Sequence, residues 1–183
     1  MSNYRRASLS GGTYFFTVVT YNRKPLFNSE LARRVLHRAI LDVRERNYFR
    51  IEALCLLPDH LPTIWRLPEN DSAYPRRWNQ IKGIFIKQFR GFSLYDENTS
   101  GSRLKKGERT IWQRRYWEHL IWDEHDYSNH VDYIHCNPVK HGLVEQVVDW
   151  PWSSFHKFVR AGIYPADWSG SSPAKTNLVT AGE

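Results

Sequence analysis

The stretch Ile51-Glu52-Ala53-Leu54-Cys55-Leu56-Leu57-Pro58-Asp59-His60-Leu61-Pro62-Thr63-Ile64-Trp65-Arg66-Leu67 decides the fold. Ile51 to Leu57 is a short apolar run, and Leu61 to Leu67 is another, ended by Pro68-Glu69-Asn70-Asp71. Runs of this length bounded by turn residues read as strands. The Pro58-Asp59 break between them reads as a hairpin. Upstream, Thr13 to Thr20 (TYFFTVVT) is β-branched and aromatic throughout and predicts a buried strand. Between it and the hairpin, Leu31, Val35, Ala39, Ile40 and Val43 fall on one helical stripe, with arginines 33, 34, 38, 44 and 46 mostly off it. Asn28 or Ser29 caps that helix, with Glu30 in its first turn.

Downstream, Trp78, Ile81, Phe85 and Phe89 give a second helical stripe. A polar loop follows over Gly91 to Thr110, then a fourth strand over Ile111 to Trp122. A third helix, capped by Asp126, ends at Asn137-Pro138, because the residue before proline avoids α geometry. The order β-α-β-β-α-β-α is an α+β, ferredoxin-like split βαβ arrangement with an antiparallel sheet and an added helix. Its first and third strands are expected at the centre. We place the main domain over residues 1–142. Residues 143–183 form a Trp-rich appendage (Trp150, Trp152, Trp168) packing on it, frayed after about residue 170.

The composition of the 183 residues is that of a globular protein, 41% hydrophobic and 25% charged. No apolar run approaches the roughly 18 residues that span a bilayer, and no signal peptide is expected at Met1 to Arg6. Cys55 and Cys136 make no disulfide framework and lack metal-site spacing, so they read as buried thiols of a reducing compartment, the cytoplasm. Two values are unusual: a net charge of +7 and 15% aromatics with eight Trp. The charge is segregated. Residues 1–50 carry ten Lys/Arg against three Asp/Glu, and residues 76–115 eleven against three. Residues 51–75 carry one against four, and residues 116–183 four against nine. Such blocks can fold into a basic face beside an acidic one, and a nucleic acid is the most economical partner.

Two segments carry candidate chemistry. Pro58-Asp59-His60-Leu61-Pro62 enters the third strand, and His130-Val131-Asp132-Tyr133-Ile134-His135-Cys136-Asn137-Pro138-Val139-Lys140-His141-Gly142 occupies the last helix. Tyr127, Val131 and Ile134 share one face of that helix. Tyr133 and Asn137, four apart, share another, with His130 three before Tyr133. His135 lies about 200° around the helix from Tyr133 and reads as structural.

These residues resemble the REP-associated tyrosine transposases, members of the single-tyrosine HUH nucleases. The resemblance runs from Tyr4-Arg5-Arg6 through Trp112-Gln113 and Tyr116-Trp117-Glu118-His119. It continues through Tyr133-Ile134-His135-Cys136-Asn137-Pro138-Val139-Lys140-His141-Gly142 to Trp150-Pro151-Trp152-Ser153-Ser154. It implies a bacterial, cytoplasmic enzyme, with monomer favoured over dimer, that cuts and joins single-stranded DNA beside imperfect hairpins. It implies Tyr133 as nucleophile, forming a 5′-phosphotyrosine whose bond energy is kept for religation. It implies a divalent metal, Mg²⁺ or Mn²⁺, to polarise the scissile phosphate. The family's ligands are two His flanking one apolar residue on a central strand, plus a residue four after the tyrosine; here those positions read His60, Pro62 and Asn137. Roles for Glu118 and His119 stay open.

Pro62 is the departure from the family pattern. It cannot bind a metal, so the site keeps one imidazole and one carboxamide oxygen, a poor pair for Mg²⁺ or Mn²⁺. Proline in a central strand also removes a ladder donor or forces a bulge. Three consequences are open: binding without cleavage; a shell completed by Asp59, Thr63 or a DNA phosphate; or a lesion in an otherwise intact site. A hairpin-binding protein without cleavage, or one acting on RNA hairpins, are the rival functions. Expected DNA contacts are Tyr4, Arg5 and Arg6 as an arm, Lys82, Lys87 and Arg90 along a hairpin backbone, and Arg114, Arg115, Lys140 and His141 near the reactive segments.

Overall fold

A computed structural model describes residues 8–92 and 111–170. Four strands, β1 (Thr13–Val19), β2 (Arg50–Leu54), β3 (His60–Arg66) and β4 (Trp117–Leu120), form one sheet of order β2-β3-β1-β4. All neighbours are antiparallel, and β1 and β3 are central as the sequence predicts. Helices α1 (Glu30–Arg46), α2 (Tyr74–Phe92), α3 (Glu124–Lys140) and α4 (Phe155–Arg160) complete the fold.

Strand periodicity of two splits β1 between two cores. Tyr14, Phe16 and Val18 join Leu61, Trp65 and the apolar stripes of α1 and α2. The Trp65 and Trp78 rings stack at 4.1 Å in that layer. Phe15 points the other way and joins Ala53, Ile64, Val131 and Ile134 beneath α3, together with Trp150 and Phe158 from beyond it. The sheet is therefore covered on both faces, with α1 and α2 on one side and α3 on the other.

Ser29 caps α1, its hydroxyl accepting from the Ala32 N–H at 3.4 Å. The fourth strand is shorter than expected, four residues from Trp117. Arg114 and Arg115 are exposed, and upstream pairing is limited to an isolated bridge between Thr20 and Trp112. Asp123 rather than Asp126 caps α3, accepting from the Asp126 N–H at 2.8 Å.

The largest correction concerns the end of α3. Pro138 lies inside the helix, which continues to Lys140. The stop comes from Gly142, at φ +65°. Gly142 N–H donates to the Val139 carbonyl and Leu143 N–H to the Pro138 carbonyl, both at 2.9 Å. That pair of bonds is a Schellman termination.

The segment after α3 packs back on it. Tyr164 Oη donates to Asp132, and Ser154 Oγ accepts from the Leu54 N–H at 2.9 Å. Cys55 is buried as expected, whereas Cys136 is only half-buried. The polar loop, the N-terminal arm and the frayed tail expected from sequence fall on or run into residues 1–7, 93–110 and 171–183, outside the described residues.

Candidate active site

The face of the sheet under α3 carries a row of cross-strand pairs. Phe15 is opposite Ile64, Thr17 opposite Pro62, and Val19 opposite His60. Ile64 packs under Val131 and Ile134 of α3, so His60 and Pro62, at the same parity, belong to the face α3 covers.

The helix runs along this row. The Tyr133 ring meets Phe15 edge-on at 5.8 Å, and the His141 ring meets His60 edge-on at 5.2 Å. Eight helical residues advance about 12 Å, and four strand residues advance about 13 Å. The two elements therefore keep step. Asn137 lies midway between Tyr133 and His141 along the helix.

Pro62 forces no bulge; the β1–β3 register is continuous across it. Its carbonyl accepts from the Cys55 N–H at 3.1 Å, on the β2 side. In an antiparallel strand a residue's N–H and C=O point the same way. The missing donor of Pro62 thus faces Cys55, the residue just past the end of β2 at Leu54, and costs the ladder one bond there. The bulge lies at Glu52 instead, between the Ile51–Trp65 and Ala53–Ile64 pairs.

His60 is buried, and its Nδ1 sits 2.6 Å from Asp59 Oδ1. The other carboxylate oxygen of Asp59 accepts from Arg23 Nη1 at 3.0 Å. Burial alone would raise the Asp59 carboxyl; the hydrogen bond and charge of His60, with Arg23, outweigh it and hold the group below its ordinary value. Tyr133 is half-buried, with the Lys140 ammonium 5.3 Å from its ring centre. Asn137 is fully buried; its Nδ2 donates to the Tyr133 carbonyl at 2.9 Å. Its Oδ1 has no hydrogen-bond partner among the described residues.

This donor set bears on a metal. An orphaned buried carbonyl oxygen is costly and suits a cation or an incoming donor. Asn137 Oδ1 and the second nitrogen of His60 are atoms of ligand type, and Pro62 offers none. Two side-chain donors fit a hard divalent ion only as a partial shell, the rest coming from water and a phosphate.

A second cluster escaped the sequence reading. His119, Asp126 and His130 bring ligand-type atoms within 4.8 Å of one another. His119 Nε2 lies 2.8 Å from Asp126 Oδ2, and His130 Nδ1 3.0 Å from Asp126 Oδ1. The two imidazoles stack at 4.7 Å with 16° between their planes. A ring nitrogen binds metal in the plane of its ring, and the near-parallel planes of these stacked rings do not readily bring two lone pairs to one point. The arrangement is a carboxylate shared by two imidazoles. Burial pushes the His130 imidazole below its ordinary value. The i, i+4 spacing of Asp126 and His130 was the available signal; the pairing with β4 was not visible. His135, read from the sequence as structural, is fully buried, with Nε2 2.9 Å from Ser154 Oγ.

The expected DNA contacts separate into groups. Lys140 and His141 are exposed at the end of α3, beside Tyr133 and His60 respectively. Arg114 and Arg115 are exposed before β4, following Gln113, whose N–H bonds to the Val19 carbonyl at the His60 end of β1. Lys82 and Lys87 belong to α2, on the opposite face of the sheet. Lys82 Nζ donates to the Gln113 carbonyl at 3.1 Å, and Lys87 is exposed. Arg90 lies in the last turns of α2. Tyr4, Arg5 and Arg6 lie outside the described residues.

No protein-family model matches the chain. It is 46% identical over 171 residues to the REP-associated tyrosine transposase of Escherichia coli K12, covering 93% of this chain and 92% of that one. A Haemophilus influenzae protein assigned to the same family is 45% identical over 176 residues, covering 96% and 97%. The solved structure of a REP-associated tyrosine transposase bound to a REP hairpin superposes with a TM-score of 0.79 at 42% identity, covering 100% of this chain and 98% of that one. With near-complete relatives at this identity and the same fold, the chain belongs to the REP-associated tyrosine transposase family.

Proposed function

We propose that this protein cuts and rejoins single-stranded DNA beside REP-type hairpins through a covalent 5′-phosphotyrosine at Tyr133. The observation that carries the reading is the shared sheet face of Tyr133, Asn137 and His60, with a buried carbonyl oxygen of Asn137 left unsatisfied. The hairpin named for the structural neighbour supports the choice of DNA.

In the forward step the Tyr133 oxygen attacks the scissile phosphorus and gives up its proton. The bond from phosphorus to the 3′ oxygen breaks, and that oxygen leaves as a hydroxyl on taking a proton. Rejoining reverses both, a 3′ hydroxyl displacing the phenol. The Lys140 ammonium, 5.3 Å from the centre of the Tyr133 ring, favours the phenolate charge that develops there. Asn137 and His60 would hold a divalent ion of the Mg²⁺ or Mn²⁺ type, which when bound polarises the phosphate. Residues 1–142 act as the catalytic unit and 143–183 as its packing appendage. Tyr4, Arg5, Arg6, Lys82, Lys87, Arg90, Arg114, Arg115, Lys140 and His141 serve DNA binding, and the protein works as a monomer in the bacterial cytoplasm.

Incubation with a single-stranded hairpin oligonucleotide and Mn²⁺ is expected to give a denaturant-resistant protein–DNA adduct that Tyr133→Phe abolishes. A second reading, hairpin binding with impaired cleavage, is favoured by Pro62, which removes a ligand. Replacing it tests this: Pro62→His is expected to raise adduct yield about tenfold or more, on the scale of restoring one ligand. Equal yields from both proteins would show that Pro62 costs nothing.

A further inference from the structure

The connection from β1 to α1 holds two consecutive non-glycine residues in the left-handed region, Asn22 at φ +53° and Arg23 at φ +50°. Side chains disfavour this conformation, and such outliers persist only where the surroundings hold them. Here the surroundings are the turn that leads into His60. Buried Thr20 donates its N–H to the Asp59 carbonyl at 2.8 Å, and its hydroxyl lies 2.8 Å from the Lys24 carbonyl and 3.0 Å from that of Asp59. Tyr21 N–H is held by the Ile111 carbonyl at 2.9 Å. The strained turn is thus bolted to the Pro58-Asp59 turn, and its product is the contact of Arg23 Nη1 with Asp59 Oδ2 at 3.0 Å.

That contact leaves Asp59 one function. One oxygen is taken by Arg23, and the other meets His60 Nδ1 at 2.6 Å. A carboxylate accepts only, so Nδ1 must carry the proton. The ring's lone pair is then on Nε2. We propose that Arg23 and Asp59 are positioning residues for His60, fixing its ring as the Nδ1–H form with the Nε2 lone pair offered to the α3 side of the sheet. The device matters more here than in a site with two imidazoles, because Pro62 leaves His60 without a second to share the task. The proposal rests on His60 belonging to the reacting site, but its first test does not depend on DNA cleavage.

The protein labelled with ¹⁵N-histidine, at a pH where the imidazole is neutral, gives the tautomer from long-range proton–nitrogen correlations, with His60→Gln for assignment. The wild type is expected to show His60 protonated at Nδ1 alone, and Asp59→Ala to shift it to the Nε2–H form. Arg23→Gly is the second variant: glycine accepts the positive φ, so a purely structural turn would be left intact or improved. It is expected to keep the fold and yet mix the two tautomers. A wild-type ring protonated at Nε2 or at both nitrogens, or an Asp59→Ala protein whose His60 stays in the Nδ1–H form, overturns the proposal. Adduct formation is then compared in a single turnover. Asp59→Ala is expected to slow it about 10- to 100-fold with hairpin affinity unchanged; an unchanged rate in a protein whose tautomer has shifted overturns the positioning role. Absence of adduct in the wild type itself would instead count against Tyr133 as nucleophile, leaving the tautomer result to decide this proposal.

Discussion

His135 shows what one buried residue can impose on the protein. It is fully buried among the rings of Phe155, Phe158 and Tyr164, and burial, with His156 adding a smaller effect, pushes its imidazole down to about 3 from an ordinary 6.5. The unfolded chain therefore takes a proton near pH 6.5 that the folded protein refuses until about pH 3. Stability supplied by the neutral ring is complete above 6.5 and declines as pH falls, by about 1.4 kcal/mol per unit. In His135→Phe that part of the acid limb is expected to disappear, so that urea midpoints measured between pH 6.5 and 4 fall less steeply than in the wild type. His60 and Pro62 make a different point at this scale. The sequence named both positions, but not that Asp59 and Arg23 would stand behind His60. That depends on a left-handed turn at Asn22 and Arg23; Asn readily takes that conformation, but Arg23 gives no sign of it and nothing local points its side chain at Asp59.

At the scale of elements, α3 sets the spacing of the site. Its rise matches the row of β1–β3 pairs beneath it, so Tyr133 meets Phe15 at one end and His141 meets His60 at the other. This requires the helix to pass Pro138, and the sequence reading stopped it there. Proline restricts the residue before it, but the apolar face of α3 is already fixed by Val131 and Ile134, and the Schellman bonds at Gly142 take over the last carbonyls. Gly142→Ala isolates that contribution. Beyond its chain neighbours, no atom of the described residues lies within 4 Å of where the new Cβ would sit, so the positive φ is what is penalised. The expected loss is about 1 kcal/mol by denaturant titration. The β-α-β-β-α-β-α order and the central strands were legible because aromatic and apolar periodicity is strong in β1, β3, α1 and α2. The ends of β4 and α3 were not, since capping by Asp123 and pairing at Thr20–Trp112 depend on the tertiary arrangement.

For the whole molecule, only part of the basic charge of the sequence falls near the site; Lys82, Lys87 and the arginines of α1 lie on the opposite face of the sheet. Arg114 and Arg115 are exposed near the end of the sheet where His60 sits and Lys140 beside Tyr133, while the acidic first turn of α3, with Glu124 and Asp126, lies beyond the Tyr133 end of the row. A polyanion bound at the basic end releases counterions for each phosphate neutralised. Arg115→Ala and Lys140→Ala are each expected to reduce the slope of log affinity against log salt by about 1, without changing preference among hairpin sequences. An altered sequence preference at constant slope would mark base reading instead. Among the described residues no helix is long and apolar enough to cross a membrane.

Of the ten tyrosines of this chain, one phenol is expected to become bonded to DNA. The most direct measurement is to trap the protein on a single-stranded hairpin substrate, digest both partners, and locate the nucleotide by mass spectrometry. The account predicts a phosphodiester on the peptide bearing Tyr133, joined to the 5′ side of the cut. A nucleotide on any other tyrosine, or cut DNA released with no tyrosine modified, would contradict it.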